Sequence, residues 1–223
     1  MTRRLIILGT GGNAHDILDI VEALNANRPT WNLVGFLDDV REPGSRFFGV
    51  EVLGRLGEAS KFENCCFVNA IGSDLSYRRR PLIIEATGLR REQFATLVHP
   101  AAWVSPRARM GRDVCINAGA SVAGNATIGD HASIGPTCVV GHDSVIEEYS
   151  MLAPGSIVSG FVRVGTASYI GAGAMIRQRV QVGSGALVGL GAVVVKDVVE
   201  DTVVIGNPAK VLQRPRVHIA RAG

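Results

Sequence analysis

Removing a proton at neutral pH calls for an imidazole, and the chain carries five: His15, His99, His131, His142 and His218. His142 draws attention because it follows Gly141 and precedes Asp143 in the run VVGHDSVIEEY. A base there could take the proton of an attacking nucleophile. A reaction that builds negative charge on an oxygen would also need a donor for that oxyanion. A second motif lies near the N-terminus, where Gly9-x-Gly11-x-x-Ala14 fits the glycine fingerprint that presents helix-terminal amides to phosphate. Asp38 and Asp39 close the next apolar run, where a ribose hydroxyl or a base edge could be met. A tight turn and a helix cap would explain the same glycines, so this motif alone chooses nothing.

The elements that must position these groups fall into two parts, divided near His99-Pro100, since the residue before a proline is pushed to extended geometry. In residues 1–100, a strand over Leu5 to Leu8 leads through Gly9-Thr10-Gly11-Gly12 into a helix over Asn13 to Asn25. That helix follows from the spacing of Ile17, Leu18, Ile20, Val21 and Leu24. Apolar runs at Leu33 to Leu37 and Cys65 to Ile71 predict further strands. A helical stretch around Leu75 to Thr87 starts late or kinks at Pro81, and Phe94 to Val98 reads as a closing strand. Strand, glycine turn, helix, strand is a βαβ unit, so a small parallel, Rossmann-like sheet is expected.

Residues 101–214 are an internal repeat. Every sixth position from Val104, through Met110, Ile116, Val122, Ile128 and onward to Val194, is aliphatic. The position after it is mostly small, as at Gly111, Gly129, Gly141, Gly165 and Gly183. Neither a helix nor an ordinary strand has a period of six. A three-sided coil does: each hexad is a short strand and a corner, three hexads make an eighteen-residue turn, and stacked turns form parallel sheets about 4.8 Å apart. The fold class is therefore an α/β domain followed by a three-sided parallel β-helix, with a tail at 215–223. In that coil Gly160 stands one turn above His142, where its amide could donate to an oxyanion and its missing side chain would leave room for a substrate.

Composition bounds the rest. With 47% apolar and 19% charged residues the chain reads as globular, and a formal charge of +3 with 5% aromatics is poor material for nucleic acid. Arg78, Arg79 and Arg80 read as a solvated helix face. Cys65, Cys66, Cys115 and Cys138 have no CxxC spacing and fit buried thiols in a reducing cytoplasm. The N-terminal run is too short for a signal segment, and no run is long enough to span a membrane.

The hexad pattern resembles that of the left-handed β-helix acyltransferases. From about residue 3 to Val211 the chain resembles the nucleotide-sugar acetyltransferases related to bacterial sialic acid O-acetyltransferases and bacillosamine-pathway N-acetyltransferases. The segments GTGGNAHDILDIVEAL and GHDSVIEEYSMLAPGS look most like the branch acting on GDP-perosamine. The resemblance implies acetyl-CoA as co-substrate, no metal, a homotrimer with sites between subunits, and His142 as base with Gly160 at the oxyanion. It also implies that Asp143 orients the histidine, although neighbours on an extended chain usually point apart. The implied nucleotide contacts are Gly12, Asn13, Ala14, Asp38, Asp39, Ala70 and Gly72. The family loop carries His, a small residue and Lys where this chain has Asn13, Ala14 and His15, which bears on the phosphate contacts. Acetyl-CoA contacts are implied at Met151, Gly160, Ala172 and Leu190, with Lys210 near coenzyme phosphates.

Acetylation of a UDP-linked 4-amino sugar and O-acetylation of a sialic acid-type sugar stay open on the same scaffold. An NAD-dependent oxidoreductase would leave the hexads unexplained. A metal hydrolyase of the γ-carbonic anhydrase type needs three zinc histidines, and the repeat offers only His131 and His142. A purely structural solenoid needs neither the first domain nor a histidine beside a glycine.

Overall fold

The structure is a computed structural model and describes residues 2–212. His218 and the tail at 215–223 lie outside the described residues. The N-terminal part opens with β1 (Arg3–Leu8), α1 (Gly12–Asn27) and β2 (Trp31–Leu37), followed by β3 (Arg46–Phe47), β4 (Val50–Gly54) and β5 (Cys66–Asn69). The sheet order is β3-β4-β2-β1-β5, with parallel pairing of β1 to both β2 and β5 and an antiparallel β3–β4 hairpin. The order reverses at β1, which places a topological switch point at the carboxyl ends of β1, β2 and β5.

One face of this sheet packs Leu5, Ile7, Phe36 and Val68 against Ile17, Ile20 and Val21 of α1. Its other face, with Ile6, Leu8, Leu37 and Phe67, meets Leu56, Ala59, Ile84 and Phe94. The late start inferred from Pro81 is observed: α2 spans Arg80–Glu85, with the proline in its first turn. The strand expected over Phe94 to Val98 is shorter. Leu97–Val98 pairs with Cys115–Ile116 of the coil, so this segment begins one of the coil's sheets.

Beyond it the chain forms the left-handed β-helix. Registers such as Val139↔Ile157 and Val140↔Val158 advance by eighteen residues per turn. The sixth-residue ladder from Ile116 to Val194 is buried, and only Met110, on the first turn with no turn beneath it, is left largely exposed. The three walls differ outside. The first presents Cys115, Ser133, Met151 and Tyr169 beneath the N-terminal domain. The second presents Trp103, Val139, Ile157 and Met175, of which Trp103 and Met175 are 58% and 49% exposed. The third presents the polar Arg109, Thr127, Arg163 and Gln181.

Arg80 corrects the reading of the arginine run as a solvated face, because it is 2% exposed. Its guanidinium donates to the carbonyl oxygens of Ile71 (2.9 Å), Tyr149 (2.6 Å) and His131 (2.8 Å), tying a loop of the first domain to two turns of the coil. Beside it, buried Asp113 accepts from the Asn69 backbone N–H and pairs with the His131 ring, both at 2.8 Å. Burial pushes the Asp113 carboxyl up and the Arg80 guanidinium down, and their opposite charges resist both shifts. His131 is therefore no surface residue: it stacks on Tyr149 beneath the first domain.

Candidate functional site

The corner between the second and third walls holds His142. Gly141 is glycine because a β-carbon there would lie 2.5 Å from the Gly160 nitrogen on the next turn. A β-carbon on Gly160 would in turn lie 2.8 Å from His142 Nε2, so the bare backbone makes room for the ring. The Gly160 N–H has no acceptor among the described residues, while the Gly160 carbonyl accepts from Arg179.

Asp143 adopts φ +57°, as do its stacked equivalents Asn125 (+62°), Phe161 (+59°) and Arg179 (+64°). This left-handed corner turns Asp143 back toward its neighbour, overriding the alternation expected of an extended chain. His142 Nδ1 lies 2.8 Å from Asp143 Oδ2, and Asn125 Nδ2 donates to Asp143 Oδ1 at 3.2 Å. These two hydrogen bonds, that of His142 first, hold the Asp143 carboxyl below the ordinary carboxylate value. With Nδ1–H donating to the carboxylate, Nε2 keeps the lone pair and faces the open side of Gly160. Phe161 meets the imidazole edge-on at 5.0 Å, and the Arg179 guanidinium lies 4.5 Å over the Phe161 ring.

The second site opens at the switch point. A cleft of 870 Å³ is lined by Gly9 to Gly12, by Asp38 and Asp39, by Ala70 to Ser73, and by Arg79 from the turn before α2. Helix α1 enters it with no side chain capping its N-terminus, leaving first-turn amides for an anion.

The expected substrate residues divide here. Gly12, Asp39, Ala70 and Gly72 line the cleft. Asp38 lines it too, but its carboxylate accepts from the amides of Thr10, Val40 and Arg41 and from the Thr10 hydroxyl, at 2.7–2.8 Å. Burial raises this carboxyl, and the four hydrogen bonds outweigh burial and hold it low. Asp38 thus builds the loop, and Asp39 is the exposed carboxylate of the pair. Asn13 donates to the carbonyls of Ala70 (3.2 Å) and Gly72 (2.8 Å), fastening α1 to the β5 loop. Ala14 is fully buried in the core and its amide bonds Gly11, so the expected contact there is replaced by a packing role.

The expected acetyl-CoA residues divide as well. Gly160 lies on the His142 corner, whereas Ala172 and the 83%-exposed Leu190 stack on the corner between the first and second walls. Lys210 is exposed on the closing strand Lys210–Val211. Met151 is buried with its sulfur directly against Gly72, so it supports the loop after β5. Residues the sequence did not single out are Thr10, Arg79, Asn125, Phe161 and Arg179. The last three share the eighteen-residue spacing of Asp143, the one signal that could have found them. No group of three or more His, Cys, Asp or Glu among the described residues could hold a metal ion. No helix among them is long and apolar enough to cross a membrane.

Two family models match the chain: the PglD N-terminal domain over residues 4–81 and the bacterial transferase hexapeptide (six repeats) over residues 107–142. A comparison with curated proteins finds no match. Among solved structures, perosamine N-acetyltransferase from Caulobacter crescentus, in complex with CoA and GDP-perosamine, is 30% identical with a TM-score of 0.80, covering 94% of this chain and 97% of that one. The acetyltransferase domain of PglB from Neisseria gonorrhoeae, in complex with acetyl coenzyme A, is 33% identical with a TM-score of 0.81, covering 95% and 100%. WeeI from Acinetobacter baumannii is 25% identical with a TM-score of 0.79, covering 95% and 100%.

Proposed function

The chain belongs to the left-handed β-helix nucleotide-sugar acetyltransferases and is an acetyl-CoA-dependent acyltransferase; from that premise we propose that it N-acetylates the 4-amino group of a nucleotide-linked sugar, with GDP-perosamine the first candidate. The observation that carries the reading is His142 Nε2 beside the open face of Gly160, whose amide has no acceptor among the described residues. The neutral amine attacks the thioester carbonyl, forming the N–C bond, and His142 takes the proton from nitrogen. The Gly160 N–H donates to the tetrahedral oxyanion. Collapse breaks the C–S bond, and the proton follows to the departing thiolate. Asp143 fixes the ring and its tautomer.

The substrate side uses Gly12, Asp39, Ala70 and Gly72, with Asp38 and Asn13 shaping the cleft. That cleft lies over the first wall, and His142 lies beyond the second, so one chain does not bring its own two sites together. A homotrimer does, if second walls pack near neighbouring corners, and the exposed apolar ladder of Trp103, Val139 and Met175 supports such packing. Ala172, Leu190 and Lys210 would then join Gly160 along acetyl-CoA. The exposed basic surface of Arg177 and Arg179, two turns above His142, and Lys196, three turns above, suits its phosphates.

The test is a thiol-release assay with acetyl-CoA and GDP- or UDP-linked 4-amino sugars, with products identified by mass. Turnover to an N-acetylated sugar supports the reading. Turnover only with hydroxyl sugars, or none with any amino sugar, overturns it.

A further inference from the structure

A second cavity, of 250 Å³, adjoins the nucleotide cleft and shares Gly12, Gly72 and Ser73 with it. It runs between α1 and the first wall of the coil, past Asn13, Asp16, Asn117, Ser133 and Tyr169, to the corner prolines Pro136 and Pro154. Its charge is one-sided. Asp16 is the only ionised side chain at neutral pH among its lining residues, which include no Lys, Arg or His. No salt bridge involves Asp16 among the described residues, and it sits in partial burial, which with Asp19 raises its carboxyl.

The neighbouring polar groups add acceptors. Asn13 commits both amide hydrogens to Ala70 and Gly72 and keeps its oxygen as an acceptor, while Asn117 donates one hydrogen to Ile134 and keeps its oxygen and one N–H. The larger cleft carries two carboxylates of its own, Asp38 spent on four hydrogen bonds within its loop and the exposed Asp39, and the groups it offers an anion are the uncapped α1 N-terminus and Arg79. A ligand that is anionic at one end and rich in N–H or O–H donors at the other fits the pair of cavities in one direction only.

We infer that the smaller cavity is the sugar subsite and that Asp16 determines its specificity, accepting hydroxyl or ammonium donors of the ring and rejecting a sugar that carries a carboxylate. The inference rests on the larger cleft holding the nucleoside diphosphate. Like charges brought together in a partly desolvated cavity repel far more than in water, so one carboxylate suffices for discrimination. A ring seated here would present its far edge at the Pro136–Pro154 corner, where a neighbouring subunit's His142 could reach it. The cavity thereby favours amino sugars over sialic acid-type sugars.

Calorimetric titration of the full-length protein tests this with two matched series: UDP, UDP-glucose and UDP-glucuronate, and GDP, GDP-mannose and GDP-mannuronate. In the series whose base is bound, the uronate is expected to bind at least fivefold more weakly than its neutral partner. Asp16→Asn should bring that ratio below fivefold while leaving the Kd of the bare nucleoside diphosphate unchanged. A wild-type ratio under fivefold overturns the assignment, as does a ratio that Asp16→Asn leaves at its wild-type value. The wild-type ratio decides alone should the variant fail to fold. Binding of neither UDP nor GDP would instead bring down the reading of the nucleotide cleft, and this one with it.

Discussion

His142 Nε2 lies 2.8 Å from the point where a side chain on Gly160 would begin, one turn higher in the coil. The imidazole and the bare amide therefore share one small space, and filling it should damage the proposed chemistry more than folding. Gly160→Ala is expected to lower kcat at least tenfold, with a melting temperature near that of the wild type because the corner is open to solvent. Steady-state kinetics and thermal denaturation check both parts.

Asp143 reaches His142 through a left-handed corner, at 2.8 Å. Asp143→Asn keeps the size of the side chain but removes the charge that fixes the Nδ1–H tautomer. A loss of roughly 10- to 100-fold in kcat is expected, given typical general-base contributions, with little change in KM for acetyl-CoA. Loss confined to KM would contradict an orienting role.

Arg80 ties the two domains together from full burial. Arg80→Met leaves three carbonyls and Asp113 without their cation and should cost about 2–4 kcal/mol, lowering Tm by roughly 5–15 °C. Arg80→Lys should recover part of this. Calorimetry of both variants provides the check, and a Tm within 2 °C of the wild type for Arg80→Met, on the order of ordinary surface substitutions, would remove the tie from the account.

The Asp38 loop should be acid-sensitive in a defined direction. Its carboxyl is held below the ordinary value in the folded chain, so its contribution is present above the unfolded-state pKa of about 3.9 and is lost as pH falls through the lower folded value. Nucleotide binding should therefore be insensitive to this group between about pH 5 and 8 and weaken in stronger acid. Asp38→Asn should weaken binding throughout that window and differ less from the wild type in stronger acid, as titration with GDP and UDP would reveal.

The apolar second wall makes a prediction about assembly. Met175→Glu places a charge in the exposed ladder and should convert a trimer into smaller species with less than about a tenth of the activity. Sedimentation velocity with parallel assays tests this; a wild-type monomer that is fully active would refute the shared-site model.

Much of this was legible in the residues. The coil could be read because its signal is local and repeats: an inward aliphatic every sixth position, with glycine where a β-carbon would collide with the next turn, as at Gly141. The βαβ start was legible for the same reason. The β3–β4 hairpin (Arg46–Phe47 and Val50–Gly54) carried no comparable pattern. Arg80 looked like a solvated charge because its partners are carbonyl oxygens, which every residue has and no side-chain pattern marks. The burial of Met151 against Gly72 was not legible for want of any signal that the first domain would dock over it. The Asp143–His142 contact was not legible because the positive φ shared by Asn125, Asp143, Phe161 and Arg179 is imposed by the stacked corner and not by those residue types.

The most direct measurement is steady-state acetyl transfer by His142→Asn, with acetyl-CoA and whichever nucleotide-linked amino sugar the wild type accepts. A fall in kcat of at least about a hundredfold is predicted, with unchanged circular dichroism and nucleotide affinity. A kcat within threefold of the wild type would show that another group removes the proton.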